Sequence, residues 1–398
     1  MNHTLPPNLA QALAEGLERL RPLAGADSFD PNVPAALVQA GLHRLPVPEA
    51  AGGLGGRLTD AIEVLAAIGA LDGSAGLGLA MHYHTLGSAV ESGCWPAKLL
   101  HEVFSAVCEQ WALVKLAATE ARGGSPARGA VPELTARRLG SNWLVDGEKS
   151  WTTWLPALRY AVVTAKLLDG QADVAGETVR LGSLLIDLSL PGVACLSGFD
   201  GLGMTASASG LLRFSGVCVA DDRLIGSRLA GEGDPHRASA LAWFGLCVAA
   251  VYLGIGEGAR AALVRWAVGR KPGDGAMAVA DIPSVRMRLG RLDTELRAGR
   301  ILLFATARLW EEARSVGRRE HCLPDIALAK LKATEAAAFA TDHALRIAGG
   351  PGFLRGELER AFRDARAGLI HPPLEDVAYL EFARHLIEGQ RSAYNAAD

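Results

Sequence analysis

The chain has 398 residues, more than one hydrophobic core usually supports, so its length predicts two or three domains. Apolar residues make up 49% of the sequence and charged residues 21%, which is typical of a soluble enzyme. A formal net charge of −3 argues against a global attraction to nucleic acid or to an anionic membrane surface.

The N-terminal sequence, MNHTLPPNLAQ, lacks the basic and then apolar pattern of a secretory signal peptide. We also expect no apolar run of the ~18 residues that a membrane-spanning helix needs. The six cysteines are scattered without a CxxC pair, which argues against a structural zinc site and a disulfide framework. Together these features predict a cytoplasmic protein without a metal site or membrane insertion.

Residues 1–113 are predicted to form an N-terminal α-helical domain. Apolar residues recur at helical spacing over 9–20 and again over 61–71, with polar residues between them. The intervening LPVPEAAGGLGG, at 45–56, is dense in proline and glycine and predicts a loop.

Residues 114–228 are predicted to form a middle domain that is antiparallel and barrel-like. SNWLVDGEKSWTT, at 141–153, is typical of a hairpin with Asp146-Gly147 as its two-residue turn. RYAVVTAKL, VRLGSLLIDL and SGLLRFSGVCV follow as β-rich runs separated by Gly, Asp and Pro. Strands that follow one another with no helix between them favour antiparallel pairing.

Residues 229–398 are predicted to form a C-terminal four-helix bundle. The segments 236–269, 283–316 and 324–348 are rich in Ala, Leu and Arg at helical spacing. Each is much longer than the ~11–12 residues of an average helix, which favours a bundle. The predicted fold class is therefore mainly α with a central β domain.

One stretch of the first bundle helix has the outline of a dinucleotide-binding turn. Gly254-x-Gly256-x-x-Ala259 follows an apolar run, and Asp274 stands twenty residues beyond the first glycine. The stretch nevertheless lies in an all-helical zone without a second strand for a parallel sheet. Small residues at this spacing also let a neighbouring helix approach, and we favour that interpretation.

The segment RMRLGRLDTELRAGR, at 286–300, is locally basic. It also contains Asp293 and Glu295, and no aromatic residues are interleaved to stack on bases. A solvated or subunit-facing helix surface explains it better than nucleic-acid binding. The sequence contains no P-loop, HExxH or GxSxG motif.

Two stretches suit a bound cofactor. LAATEARGGSPARG combines the hydroxyls of Thr119 and Ser125 with glycines whose free amides suit a phosphate or a ring carbonyl. GEKSWTTW places Trp151 between hydroxyl residues where a strand ends, which would form an aromatic wall with donors beside it. A polar loop and an ordinary sheet edge are the respective alternatives.

Together, these stretches resemble the acyl-CoA dehydrogenase superfamily over nearly the whole chain. LPVPEAAGGLGG is similar to its VPExxGG loop, LAATEARGGS to its xxTEPxAGS segment and VDGEKSWTTW to its GxKxWIT segment. IALAKLKATEAAAFATDHALRIAGGPGF and ELERAFRDARA resemble its closing helices, with the GGxGF and RDA signatures. Because five matches occur in the family's order, the chain is identified as a member.

The resemblance implies that FAD is bound between the middle domain and the bundle of a homodimer or homotetramer. It implies that Thr119 and Ser125 contact the flavin and its phosphates. Trp151 is expected to lie against the isoalloxazine ring, and Thr153 to hydrogen-bond near flavin N5.

The resemblance also implies a contribution from a second subunit. Arg270 matches the arginine that reaches the FAD pyrophosphate across the interface. Arg346, Gly349 and Gly350 match the QxxGG segment that receives the partner's adenine end, with Arg346 in place of the glutamine.

The family reaction needs a carboxylate that removes the α-proton of an acyl thioester while a β-hydride passes to flavin N5. The segment FRDARAGLIHPPLEDV aligns without a gap with the family segment that carries this glutamate, and the glutamate falls on Pro372. The alternative position used by other relatives falls on Phe244. Both usual bases are therefore missing.

Two functions follow from this departure. One is α,β-dehydrogenation of an acyl thioester, such as an acyl-CoA, with electron-transfer flavoprotein or oxygen as acceptor and a displaced base. Glu375 is our preferred base, with Asp376 and His371 as alternatives; both acids could instead simply begin the last helix, where negative charge is favourable. The other function is a flavin monooxygenase or oxidase on the same fold that uses His371 rather than a carboxylate.

The resemblance leaves recognition of CoA open. The segment GFDGLGMTASASG lacks the arginine that many relatives carry after the equivalent Gly-Met.

Overall fold

The N-terminal part of the chain is helical, as predicted. The computed structural model describes residues 3–121, 131–169, 179–196, 198–273, 277–313 and 316–395. The first helices are α1 (Pro7–Leu20), α2 (Asn32–Gln39), α3 (Leu58–Leu71), α4 (Gly73–Ser92) and α5 (Ala97–Gln110). The predicted loop at 45–56 contains only a single 3₁₀ turn, Glu49–Ala51.

The end of α3 and the start of α4 are specified locally. The Asp72 side chain accepts a hydrogen bond of 2.9 Å from the backbone N–H of Ala75, which caps α4. At its other end α4 stops at Gly93, whose φ of 62° lies in the left-handed region that favours glycine. α4 is buried along most of its length, so it is a core helix rather than a surface helix.

The middle part forms a mixed sheet, which corrects the purely antiparallel expectation. The strands are β1 (Val114–Ala117), β2 (Thr135–Leu139), β3 (Asn142–Thr152), β4 (Tyr160–Leu168), β5 (Arg180–Asp187), β6 (Val193–Leu196), β7 (Gly210–Ala220) and β8 (Leu224–Leu229). They follow the order β6-β7-β3-β2-β4-β5-β8 in the sheet, and β1 pairs with β4. Most neighbours are antiparallel, but β4 pairs in parallel with both β1 and β2.

The predicted hairpin turn at Asp146-Gly147 is wrong. β3 runs through both residues, and the chain reverses instead at residues 140–141, between β2 and β3. Gly147 has a φ of 134° where the pairing of β3 with β7 shifts register. The Asp146 side chain accepts a 2.7 Å hydrogen bond from the backbone N–H of Gly216 in β7. The Asp-Gly pair therefore lies inside a long strand, opposite a β-bulge that Ser215 and Gly216 form in β7.

The C-terminal part is helical again. Its long helices are α6 (Arg237–Gly269), α7 (Pro283–Glu312), α9 (Leu323–Ala348), α11 (Glu357–Ile370) and α12 (Glu375–Asn395), with short α8 (Val316–His321) and α10 (Gly350–Phe353) between them. α6, α7, α9 and α11 pack against one another, and α6 also packs on α3 and α4. One hydrophobic core therefore joins the N-terminal helices to the bundle.

α6 corrects the expectation that no apolar run reaches the length of a membrane span. By length and composition this helix qualifies, but 78% of its apolar window is buried within the protein. The N-terminal helices cover one side of α6 and the bundle helices cover the other. Burial on all sides explains why the helix lacks a polar face.

The glycines of the Gly254-x-Gly256-x-x-Ala259 pattern bring helices into close contact, as we favoured. A Cβ on Gly254 would lie 2.2 Å from the carbonyl oxygen of Ala66 in α3. One on Gly256 would lie 3.0 Å from the Cα of Ala337 in α9. The pattern lies in mid-helix, so it forms no phosphate-binding turn.

Asp364 in α11 connects the bundle to the middle domain. Its carboxylate is buried and accepts a 2.5 Å hydrogen bond from the backbone N–H of Met204. Burial raises the pKa of this carboxyl to about 6. A Cβ on Gly203 would lie 2.4 Å from the carbonyl oxygen of Arg363, so the two backbones are in direct contact.

We predict that Gly254→Ala lowers the free energy of unfolding by about 1–3 kcal/mol, because the added methyl group would push α6 away from α3. Gly290→Ala is the matched control, since a methyl group on this exposed glycine of α7 would meet no atom within 4 Å. The control should gain about 0.5–1 kcal/mol from helix propensity. Urea unfolding of both variants tests this, and equal effects would contradict the packing explanation.

Candidate active site

The segment after α11 contains the candidate catalytic histidine. Pro372 and Pro373 cannot continue a helix, so α11 ends at Ile370 and His371 adopts an extended backbone, with φ −69° and ψ 140°. This change of direction leaves the His371 side chain partly buried against α6. The helix break that the prolines predicted therefore determines where the imidazole lies.

The His371 ring belongs to a group of four rings that we call the aromatic cluster: His84, Phe244, Tyr252 and His371. Phe244 and Tyr252 lie about two turns apart on α6, with ring centroids 6.1 Å and 5.5 Å from that of His371. His84 of α4 packs edge-on against Phe244 at 5.3 Å. Helices α4 and α6 and the end of α11 thus bring two histidines into contact with one phenylalanine.

Both histidines of the aromatic cluster are neutral at physiological pH. Burial and the nearby positive charges of Lys330 and Lys115 lower the pKa of His371 to about 3. Burial and Lys115 lower the pKa of His84 to about 3 as well. A neutral imidazole has one N–H donor and one unprotonated nitrogen, so each ring can donate one hydrogen bond and accept another.

Tyr252 contributes a hydroxyl group to the cluster. Its side chain is fully buried, and the hydroxyl has no hydrogen-bond partner among the residues that the structure describes. Burial raises its pKa well above the ordinary value, so the group stays protonated. Buried hydroxyls are normally paired, which makes this one a donor available to a bound molecule.

The acids that follow the prolines do not join the cluster. Glu375 and Asp376 are exposed in the first turn of α12. Negative side chains at this position interact favourably with the helix dipole, which accounts for them without a catalytic role. Glu375, our preferred base from the sequence, lies at the surface.

Trp151 lies at the end of β3 in a left-handed conformation, with φ 56°. Its side chain is 55% exposed, and its ring packs edge-on against Phe199 at 5.7 Å. The ammonium group of the buried Lys115 donates a 2.6 Å hydrogen bond to the Trp151 carbonyl oxygen. The indole is therefore held by its backbone and presents open surface for another flat ring.

Two hydroxyl residues lie next to Trp151 as the sequence suggested. The buried Thr153 hydroxyl accepts a 3.2 Å hydrogen bond from Ser209, and within the described residues it has no acceptor for its own hydrogen. The carbonyl oxygen of Thr119 accepts a 2.8 Å hydrogen bond from the backbone N–H of Ser150, which joins the two predicted flavin-contacting stretches. Ser125 lies outside the described residues.

Sequence reasoning did not single out Ser209. Its only signal was the run of small hydroxyl residues in GFDGLGMTASASG, which does not indicate which serine faces Thr153.

A buried ion pair connects Glu120 to β3 and to the residues just before β2. The Lys149 ammonium and the Glu120 carboxylate are 2.5 Å apart and almost fully buried. The other carboxylate oxygen of Glu120 accepts a 2.6 Å hydrogen bond from the backbone N–H of Glu133. These contacts give Glu120 a structural role.

Arg346 borders a basic cleft of about 530 Å³ between α7 and α9. Its other lining residues are Met287, Arg288, Arg291 and His343. The ring of His343 stacks on Phe339 at 3.8 Å, and the Arg291 guanidinium lies 5.1 Å from the same phenyl ring. Three guanidinium groups beside a flat aromatic surface suit an anion that carries a ring.

The remaining predicted cofactor residues lie at helix ends. Arg270 is exposed where α6 ends. Gly349, with φ 63°, ends α9, and Gly350 begins α10. Neither glycine has an atom within 4 Å of a Cβ position, so both leave open space beside the backbone.

Comparison with known proteins agrees with this architecture. Residues 246–375 match the family "Acyl-CoA dehydrogenase, C-terminal domain". "Putative acyl-CoA dehydrogenase YdbM" of Bacillus subtilis (strain 168) is 31% identical over 373 residues, covering 92% of this chain and 93% of that protein.

Solved structures share the fold at lower identity. Butyryl-CoA dehydrogenase from Megasphaera elsdenii superposes with a TM-score of 0.81 at 21% identity, covering 97% of this chain and all of that one. FMN-bound TdsC from Paenibacillus sp. A11-2 also has a TM-score of 0.81 at 21% identity, over 94% and 95% of the two chains. With the YdbM identity over nine-tenths of its length, the chain belongs to the acyl-CoA dehydrogenase family and is an acyl-CoA dehydrogenase-like flavin oxidoreductase.

Proposed function

We propose that this oxidoreductase activates molecular oxygen, as a flavin monooxygenase or oxidase, with His371 acting where relatives use a carboxylate. The observation that carries the proposal is the neutral, partly buried His371 imidazole in the aromatic cluster, combined with the exposure of Glu375. Pro372 and Phe244 occupy the two positions that carry the base in relatives. Oxygen activation does not require a base for an α-proton.

The residues around Trp151 fit a flavin. The open face of the indole suits a flat ring, and the Thr153 hydroxyl still has a hydrogen to donate to a ring nitrogen. A bound flavin, once reduced by the substrate or by an external reductant, would supply the two electrons that oxygen must receive. The protein would then orient that ring between β3 and the bundle, with Lys115 fixing the position of the tryptophan backbone.

The aromatic cluster would stabilise the negative charge that develops on the reacting oxygen. A neutral His371 can donate a hydrogen bond to an oxygen atom that gains negative charge, and the unpartnered Tyr252 hydroxyl can donate a second. Lys330 and Lys115 add positive charge close to His371. Because the surroundings are dry, these interactions would be stronger than they are in water.

We predict that His371→Leu slows the reaction of the chemically reduced holoenzyme with oxygen by about 10²-fold, because it removes a hydrogen-bond donor to the oxygen atom that gains negative charge. Stopped-flow absorbance of the flavin measures this rate. Glu375→Gln is the control and should leave the rate unchanged, since that side chain is exposed.

The second candidate is α,β-dehydrogenation of an acyl-CoA, which the acyl-CoA dehydrogenase names of similar proteins favour. Under that function, an acyl-CoA would bleach the flavin without oxygen and Glu375→Gln would abolish the bleaching. Observation of both effects would overturn the oxygen-activating function in favour of a displaced carboxylate base.

We further propose that the flavin is FAD rather than FMN. The basic cleft of Arg288, Arg291 and Arg346 supports this choice, because FMN has no adenylate group to occupy it. In the family resemblance, this region receives the adenine end of a cofactor held by a second subunit. Asp342 contacts Arg346 at 2.7 Å and offsets its charge, so the net positive charge of the cleft comes from Arg288 and Arg291.

We predict that the double variant Arg291→Ala/Arg346→Ala raises the Kd for FAD by about 10- to 100-fold, because each guanidinium contributes a charge-assisted hydrogen bond. The Kd for FMN should stay unchanged. Arg265→Ala is the control, since it breaks an exposed pair with Glu357 outside the cleft. Titration of the apoprotein measures both constants, and equal weakening of FMN would contradict the assignment.

A homo-oligomer is also part of this proposal. α12 is a helix of 21 residues whose apolar side chains Leu380, Leu386 and Ile387 are more than half exposed. Helices in proteins gain most of their stability when an apolar face packs against another surface. We propose that a second copy of the chain supplies this surface for α12.

We predict that Leu380→Glu/Leu386→Glu shifts the protein to monomers in analytical ultracentrifugation, because charge would be buried at the interface. Leu139→Glu is the control, since this leucine is a single exposed residue at the end of β2. An unchanged sedimentation coefficient in the double variant would exclude α12 as the contact.

A further inference from the structure

Lys330 of α9 binds the main chain of the proline segment. Its side chain has no exposed surface, and its ammonium group donates hydrogen bonds of 2.6 Å to the His371 carbonyl oxygen and 3.2 Å to that of Pro373. α9 packs along α11, so the lysine lies beneath the point where α11 ends. One side chain therefore spans the break between α11 and α12.

The two prolines explain why this contact is needed. Pro372 and Pro373 have no N–H group, so the segment supplies carbonyl oxygens and too few donors to pair them. The last carbonyls of α11 also lack partners within their own helix. An ammonium group from a neighbouring helix supplies the missing donors.

Lys330 differs from the buried Lys149 in having no carboxylate beside it among the described residues. Lys149 is neutralised by Glu120, whereas no carboxylate of the described residues lies within 4.0 Å of the Lys330 ammonium group. Burial lowers its pKa to about 8, so the group still carries its proton at neutral pH. A buried cation without a counter-ion is costly, and its retention beside His371 indicates a specific use.

A second buried lysine also binds a main-chain carbonyl oxygen, next to the proposed flavin position. Lys115 is buried, and its ammonium group binds the carbonyl oxygen of Trp151, the residue that would face the flavin ring. Lys115 and Lys330 thus each bind the backbone of a residue that we place in the site, whereas the third buried lysine, Lys149, pairs with Glu120. This recurrence favours a positioning role over a chance contact.

We propose that Lys330 is the positioning residue for His371: by binding the carbonyl oxygens of His371 and Pro373, it holds the imidazole against Phe244 and Tyr252. The inference rests on the proposed function of His371. It assigns to Lys330 no contact with the substrate or the cofactor. Its consequence is that the environment of the imidazole depends on a side chain of another helix.

The charged and titratable groups that face His371 come from several elements. Lys330 approaches from α9 and Lys115 from β1, and both disfavour a proton on the imidazole. Tyr252 approaches from α6, and His84 of α4 lies across Phe244. Loss of the Lys330 contacts would remove one positive charge and admit water, and both changes raise the pKa of His371.

The test uses the flavin-loaded protein with isotope-labelled histidine, and follows the imidazole resonances by NMR from pH 5 to pH 8. His371→Asn identifies the resonance of His371 among the ten histidines. In the wild-type protein this resonance should not titrate in the window. In Lys330→Met it should titrate, with a pKa that has moved from about 3 towards the ordinary 6.5.

Lys332→Met is the matched control, because Lys332 lies two residues away on α9 and pairs with Glu335 at the surface. It should leave the His371 resonance as in the wild type. Lys330→Gln keeps a neutral donor, and should shift the pKa in the same direction by less. An unchanged His371 resonance in folded Lys330→Met or Lys330→Gln would overturn the proposal. Failure of both variants to fold would also overturn it, because Lys330 would then be a structural residue.

A parallel measurement separates this proposal from the proposed function. If His371 acts on oxygen, Lys330→Met should slow reoxidation of the reduced flavin by about 10-fold, with the flavin still bound. If the His371 pKa moves while reoxidation is unaffected in both Lys330→Met and His371→Leu, the positioning role stands and the oxygen-activating function fails. If reoxidation slows while the His371 pKa does not move, the positioning role fails.

Discussion

The close contact between α3 and α6 is the constraint on which the rest of the structure depends. Gly254 and Gly258 let α6 lie against the carbonyl groups of α3, and Gly69 does the same from the other side. α6 is thereby fixed between the N-terminal helices and the bundle, with almost no exposed surface over its first half. Because Phe244 and Tyr252 lie on this helix, its position determines where the aromatic cluster forms. A packing rule for small side chains thus controls the geometry of the site.

Desolvation is the physical effect that gives the site its chemistry. It keeps His84 and His371 neutral, and it lowers the pKa of Lys115 to about 7. A carboxylate in the same position would be held as an acid or would need a strong partner. The family resemblance places Pro372 at the position of the glutamate, and in the structure a buried lysine binds carbonyl oxygens of the proline segment. The proline at the position of the usual base and the contacts of Lys330 therefore belong to the same segment, since Lys330 binds the carbonyl oxygens on either side of Pro372.

The two proposed cofactor regions are held in different ways. Trp151 and Thr153 are fixed by hydrogen bonds to their backbone or hydroxyl groups, which leaves the indole face and one hydroxyl hydrogen free. The cleft at Arg346 is instead defined by charge on exposed helix surfaces. Short-range contacts orient a ring, whereas a cluster of guanidinium groups attracts an anion over a longer distance.

Periodicity in the sequence determined the succession of helical, β and helical parts, since the spacing of apolar residues reflects which faces are buried. Alignment to the RDA segment was enough to place Pro372 at the position of the missing base. Local patterns were ambiguous wherever a partner from another element decides the outcome. Asp146-Gly147 has the composition of a turn, but pairing with β7 and a hydrogen bond from Gly216 keep it inside a strand, opposite a bulge of β7.

Only the tertiary structure brought His84, Lys115 and Lys330 to His371 and Trp151. These residues come from α4, β1 and α9, and no motif spacing connects them. Glu375 illustrates the converse case: its proximity to the prolines in sequence suggested a base, yet the start of α12 directs it to solvent. Sequence records which residues each element buries, whereas the contacts between elements depend on how their faces pack in three dimensions.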